Sequence, residues 1–337
     1  MKIDNPMGKT KYWRRLLHPP ELAAFALKYS RHRLRFPWVR PALERLFMDR
    51  VKDRYRNFDP RQQLWQTIAI QTIDDCNGRC CFCPNSLLKR TKARMSMDTF
   101  ARIIGELEEL DYRDAIVLDL QCDPFLDERM EEFTGMASSA CPRASVFLST
   151  NGLALTESRY HEVMRWPNVD LVVNDYTADQ RILEKIGNWH IAPEERRRSR
   201  FVCKPQPVSI TNLGHMPSRF RLPLRQSCII PFRELSIVAS GQSVICCSDW
   251  QKEQVMGDVR ESGLREIWCG EALQEVRAEL MNNVRAGLCG KCDEMGYRPR
   301  MRAVETVPVM AEVPELCSSE THERSVVASV PYRDGDN

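Results

Sequence analysis

Residues 65–83 read WQTIAIQTIDDCNGRCCFC. The first half, Trp65–Thr72, is a short apolar run of strand-forming residues and predicts a buried β-strand. The second half is a loop with cysteines at 76, 80 and 83 and a turn at Asn77-Gly78. A chemically armed loop directly after a buried strand belongs at the C-terminal edge of a parallel α/β sheet, where such folds assemble their sites.

The pattern continues outward from that strand. Met97–Leu110 predicts a helix with Ser96 as N-cap, Ala115–Leu120 a strand and Asp127–Ala140 a helix. Ser145–Ser149 then predicts a strand, Thr156–Arg165 a helix, Asp170–Asn174 a strand and Ala178–Ile186 a helix. This alternation argues for successive βαβ units. Arg196-Arg197-Arg198 reads as a solvated loop and Phe201–Ile210 as a further strand. Residues 234–247 change character, because two alternating runs flank Gly241-Gln242 as in a β-hairpin. One helix is expected over Leu264–Val284 and a loosely ordered tail over 301–337.

With 337 residues the chain is long enough for two units, and 43% apolar composition excludes wholesale disorder. Neither an apolar run of membrane-spanning length nor a signal-peptide segment is visible, so a cytoplasmic location is expected. The net charge of +3 hides an asymmetry: residues 1–63 carry 16 Lys or Arg against 6 Asp or Glu, leaving −7 for the remainder. Aromatic residues such as Trp13, Phe25, Phe36 and Trp38 interleave with these charges. The segment reads as a basic, mostly helical N-terminal extension, packed on the main domain or in contact with an anionic or membrane surface.

Fourteen cysteines are too few for a disulfide scaffold, and clustered thiols in a reduced compartment point to metal or catalysis. The Cys76-x3-Cys80-x2-Cys83 spacing has about 0.02 chance matches over such a chain. Three thiolates on one tight loop can hold three irons of a [4Fe–4S] cube and leave the fourth iron open; a zinc site or plain turn cysteines are the alternatives. Further along, Cys228, Cys246 and Cys289-x2-Cys292 make a second set of four, suited on bare spacing to a closed [4Fe–4S] cluster or to structural zinc.

The loop on its strand resembles the radical S-adenosylmethionine (SAM) superfamily over about residues 65–215. That resemblance implies an adenine contact at Phe82. It implies SAM contacts at Asp123 (in Leu120-Gln121-Cys122-Asp123-Pro124), at Thr150 and Asn151 (in Ser149-Thr150-Asn151-Gly152), and at Asn174 before Asp175 and Tyr176. Cys122 and Asp123 depart from the family's Gly-Gly-Glu-Pro pattern, and Thr211-Asn212-Leu213-Gly214 stands for its later Gly-rich stretch. The second set, with Pro231-Phe232, the hairpin, Met256-Gly257-Asp258-Val259 and Ile267-Trp268, resembles the auxiliary-cluster appendage called SPASM in its short "twitch" form.

The implied architecture is α/β: a partial (β/α)6 TIM-like barrel over 64–220 and a small C-terminal β-hairpin/helix Fe–S appendage over 221–300. The implied cofactors are SAM and two [4Fe–4S] clusters, one binding SAM through Cys76, Cys80 and Cys83, the other an electron-transfer centre on Cys228, Cys246, Cys289 and Cys292. The implied reaction is hydrogen abstraction by a 5′-deoxyadenosyl radical from a small sugar- or nucleoside-like substrate, ending in oxidation, epimerisation or decarboxylation. Of the leftover thiols, Cys247 and Cys122 are expected to face the site. Cys247 is a candidate hydrogen donor, and Asp175 is a second candidate catalytic group. A flavodoxin or ferredoxin is the expected electron donor, and no nucleic-acid partner is expected. A peptide-modifying enzyme of the same superfamily and a non-catalytic Fe–S electron-transfer or scaffold protein are the alternatives.

Overall fold

The tetrapeptide TIAI at 67–70 sets the centre of the molecule. In the computed structural model, which describes residues 52–53, 55–80, 83–86, 88–177, 179–203 and 227–292, it forms β1 (Thr67–Ile70), with Ile68 and Ile70 fully buried. β2 (Ala115–Val117) and β6 (Glu234–Ile237) flank β1, both parallel to it. Beyond β2 lie β3 (Ser145–Thr150), β4 (Val169–Asp175) and β5 (Ser199–Cys203), again parallel. Beyond β6, β7 (Gln242–Val244) and β8 (Val255–Asp258) run antiparallel. The outcome is one mixed α/β sheet of eight strands in the order β5-β4-β3-β2-β1-β6-β7-β8.

Helices cover one face of this sheet. α1 (Met97–Glu109) begins at Ser96, whose side chain accepts from the Thr99 N–H, and buries Phe100, Ile103, Ile104 and Leu107 at helical spacing. α2 (Met130–Ala140) meets it through Phe133, whose ring centroid lies 4.5 Å from that of Phe100. Burying each such ring stabilises the fold by roughly 2–3 kcal/mol. α3 (Glu157–Met164) starts at Thr156, and α4 (Arg181–Gly187) follows β4. The opposite face of the central strands carries small residues, Ala69, Ala115 and Val117, with Phe147 packed beside them.

Four expectations change. Arg196–Arg198 is not a solvated loop but the last turn of α5 (Pro193–Arg198). Arg198 donates to the carbonyls of Met164, Trp166 and Val169, satisfying orphan acceptors after α3. The helix expected over 264–284 is two, α6 (Leu264–Cys269) and α7 (Glu271–Met281), because Gly270 takes an extended conformation that caps both. The helix expected from Asp127 begins at Met130, since Asp123 and Pro124 start a 3₁₀ turn over Pro124–Leu126 instead. β8, a third strand beside the hairpin, has no clear alternation in VMGD and was not anticipated. A last short helix, α8 (Gly287–Lys291), precedes Cys292. The extension over 1–51, the tail over 301–337, Phe82 and residues 204–226 lie outside the described residues. Among the described residues no helix is long and apolar enough to cross a membrane.

Gly152 ends β3 at φ +78°, and a Cβ there would lie 2.4 Å from Ile182 Cγ2 and 2.8 Å from Val173 Cγ1. Gly152→Ala is therefore expected to cost about 2–4 kcal/mol by strain and overpacking together. Thermal denaturation reads this directly, and an unchanged Tm would refute it.

Candidate functional site

The polar clusters converge at the C-terminal ends of β1 to β4. Asp123 is their hub. Its carboxylate is 2% exposed and accepts from Thr150 Oγ1 (3.0 and 2.9 Å), from the Asn151 N–H (2.9 Å) and from the Phe125 N–H (3.2 Å). Burial pushes its pKa up, against the pull of those hydrogen bonds. Its own N–H donates to the Asp75 carbonyl at 3.1 Å, so the strand-end network is tied to the cysteine loop. Asn151 completes the tie: its Nδ2 donates to Asn77 Oδ1 at 2.8 Å and lies 3.9 Å from Cys76 Sγ.

The loop itself is folded around its thiols. The Gly78 N–H lies 3.4 Å from Cys76 Sγ, the Cys83 N–H donates to the Cys80 carbonyl, and Asn85 holds the Gly78 carbonyl. A Cβ on Gly78 would lie 3.5 Å from both Cys76 Sγ and Cys80 Sγ, so the glycine leaves a cradle between two thiols. Burial raises Cys76 to about 11, and the neighbouring Asp123 and Cys83 add to the rise. Tyr176, just after β4, is raised above its ordinary value by burial first and then by the charges of Cys80, Cys83, Asp119 and Cys76.

Behind the loop lies a buried ion pair that the sequence did not flag. Arg90 meets Asp74 Oδ1 at 2.6 Å, with side chains 10% and 8% exposed. Burial alone would raise the Asp74 pKa, but Thr91 hydrogen bonds and the Arg90 charge hold it below the ordinary value. Arg90 also donates to the Gln121 carbonyl at 2.5 Å and lies over the Trp250 ring. Gln121 Nε2 donates in turn to the Cys247 carbonyl at 3.0 Å, joining this region to the second thiol set.

The second set is also brought together. Cys228 precedes the 3₁₀ turn Ile230–Phe232, Cys246 follows β7, Cys289 lies in α8 and Cys292 caps it. Burial raises Cys228 to about 12, and the like charges of Cys289 and Cys292 act on it. Cys246 is raised well above its ordinary value, by burial first and then by Cys247 and Cys228. Buried thiols of this kind stay protonated until a cation replaces their protons, which is the donor chemistry of an iron–sulfur or zinc site. Among the described residues, no three His, Cys, Asp or Glu side chains are gathered closely enough for a single metal ion.

The remaining candidates take other places. Asp175 is fully buried, and its carboxylate accepts from Thr177 N and Oγ1 and from the N–H groups of Ile182 and Leu183, holding the turn into α4. Asn174 donates to Ser149 Oγ at 3.1 Å. Cys247 is buried in the apolar cluster of Cys228, Ile229 and Ile245. Cys122 is half-buried and raised by desolvation, with Cys76 among the charges that act on it.

Known proteins match both halves. Residues 228–293 match the SPASM family, described as an iron–sulfur cluster-binding domain. A relative from Niallia circulans, S-adenosyl-L-methionine-dependent 2-deoxy-scyllo-inosamine dehydrogenase, is 23% identical over 243 residues, covering 70% of this chain and 96% of the relative. The chain is thus similar over most of that relative's length to an S-adenosyl-L-methionine-dependent dehydrogenase, and over residues 228–293 to an iron–sulfur cluster-binding domain. The fold agrees with that of BtrN: its crystal structure in complex with AdoMet and 2-DOIA superposes with a TM-score of 0.64 at 22% identity, covering 72% of this chain and 98% of BtrN. BtrN in an open conformation gives 0.54 at 21% identity, covering 69% and 94%.

Two outcomes follow from the geometry. Asp123→Ala orphans the buried Thr150 hydroxyl and Asn151 N–H and is expected to cost about 3 kcal/mol, whereas Thr150→Val, which removes one donor to Asp123 and the acceptor of the Gly152 N–H, costs about 2 kcal/mol. Chemical denaturation that ranks the two the other way would refute the hub. In cluster-free protein, alkylation of Cys76 should rise about tenfold per pH unit from pH 7 towards its raised pKa, because only the thiolate reacts. Peptide mass mapping follows this, and a plateau below pH 9 would contradict it.

Proposed function

We propose that this chain is an oxidoreductase acting on a small, polyhydroxylated, sugar-like ring. The observation that carries the reading is its match to nearly the whole length of a dehydrogenase of an aminocyclitol. The six parallel strands and their crossovers are read as the wall of a partial (β/α)6 barrel. Cys76, Cys80 and Cys83 would hold a [4Fe–4S] cluster with one iron open, and Cys228, Cys246, Cys289 and Cys292 a closed one. When bound, SAM and its cluster supply a 5′-deoxyadenosyl radical that removes hydrogen from substrate, and the second cluster supplies an electron acceptor.

The chain's own residues have distinct tasks in this reading. Gly78 keeps open the space between two thiols. Asp123 acts by positioning: its oxygens are committed to Thr150, Asn151 and Phe125, and they hold the strand ends against the cysteine loop. Asn151 and Tyr176 border the loop. Asp175 supports the turn after β4, so this reading gives it no proton to move.

Anaerobically reconstituted protein should bind about eight irons, and the triple variant Cys76/Cys80/Cys83→Ala should retain about four. The parent should form 5′-deoxyadenosine with an aminocyclitol and release the matching ketone, and the triple variant should form neither, as followed by mass spectrometry. Stoichiometric zinc, or 5′-deoxyadenosine from the triple variant, would sink the assignment. Formation of 5′-deoxyadenosine without an oxidised ring product would instead refute the dehydrogenase reading alone.

A further inference from the structure

Arg285 lies in the short connection between α7 and α8, four residues before Cys289. Its guanidinium grips two distant pieces of chain by their carbonyls. Nη1 donates to the Cys292 carbonyl at 2.9 Å and to the Cys289 carbonyl at 3.3 Å, while Nη2 reaches the Ser227 carbonyl at 3.4 Å. Every one of these acceptors belongs to a thiol residue or to its immediate neighbour. A planar fork suits this task, because a guanidinium can donate in several in-plane directions at once, and a lysine cannot reproduce that.

The charge matters as well as the grip. Arg285 acts on the Cys228 and Cys289 thiols against burial. Among the described residues, the other charged side chains that act on these thiols are negative: Asp249 and Glu279 act on Cys289, and Glu234 acts on Cys246. Lys291, the neighbouring cation on α8, is paired with Glu253 at 3.0 Å. Asp249 itself is turned towards the N–H groups of Glu253 and Gln254.

We infer that Arg285 is the positioning residue of the second thiol site, clamping Ser227–Cys228 to Cys289–Cys292 and raising the reduction potential of the cluster held there. The inference rests on the assignment of a cluster to these four thiolates. An electron added to an anionic centre is stabilised by a cation nearby, and net charge is one of the determinants of cluster potential.

The test uses the full chain with Cys76, Cys80 and Cys83 replaced by Ala, reconstituted with iron and sulfide so that only the second site is loaded. Arg285→Gln should shift the midpoint potential of that cluster downwards in redox-poised EPR and release iron to a ferrous chelator about 10-fold faster or more. Arg285→Lys should keep the potential near the parent's but still release iron faster, because charge survives and the fork does not. An unchanged potential in Arg285→Gln, or an equal downward shift in Arg285→Lys, overturns the charge role. Hydrogen exchange on cluster-free chains tests the clamp separately. Segments 227–233 and 286–292 should exchange about 10-fold faster in both variants, while β1 to β4 stay protected; unchanged exchange overturns the clamp. If the parent retains no iron, the cluster assignment and the potential claim fall, while the exchange result still decides the clamp.

Discussion

A carboxylate taken out of water must be given donors, and Asp123 obtains all of its donors from the ends of neighbouring elements. That requirement fixes how β3 ends, where Asn151 points and how the cysteine loop lies over the sheet. Asn151 can reach Asn77 because its backbone is held by Asp123, and the loop stays near Asp123 because the Asp75 carbonyl accepts the Asp123 N–H. The Asp74–Arg90 pair does the same from the other side of the loop, anchored through Thr91 and the Gln121 carbonyl. The three thiols thus sit on a segment without regular structure whose geometry is nevertheless set by buried charge.

The second thiol set depends on the same sheet. Cys228 stands just before β6 and Cys246 just after β7, so two of its four members are placed by strands that extend the sheet from β1. α8 supplies the others, packed through Leu288 into the cluster of Ile229, Ile230, Phe232 and Leu280. Gln121 crosses between the halves, with its carbonyl towards Arg90 and its amide towards Cys247. Trp268 adds an apolar seam, fully buried against Trp65 and Phe58, with its indole N–H on the Gln63 carbonyl.

What the sequence disclosed was whatever is written in local periodicity or in rare residues. β1 to β4, α1 with its Ser96 cap, α3 and the hairpin were all legible. The break at Gly270 was not, because a glycine inside a periodic run is compatible with a continuous helix until the next helix's packing is known. Arg90 stands in the run Lys89-Arg90-Thr91-Lys92, where nothing local marks it as the partner that turns inward to Asp74. Arg198 and Arg285 were missed for a related reason. An arginine whose partners are carbonyls far away in sequence carries no local mark, and only tertiary structure shows that its charge is engaged. Asp175 illustrates the converse: an acid at a strand end looked chemical and proved to hold a helix start.

The parallel pairing of β1 with β6 also bears on how the two cofactor regions can be separated. β1 is a central strand only because Glu234–Ile237 lies alongside it. A chain ending before β6 would present the Thr67–Ile70 edge, with its apolar side chains and unpaired amides, to solvent. Such an edge invites pairing with another chain. The two regions are therefore one unit in assembly, and the strand that carries the first cysteine loop is shielded from aggregation only once the C-terminal third has been synthesised and docked.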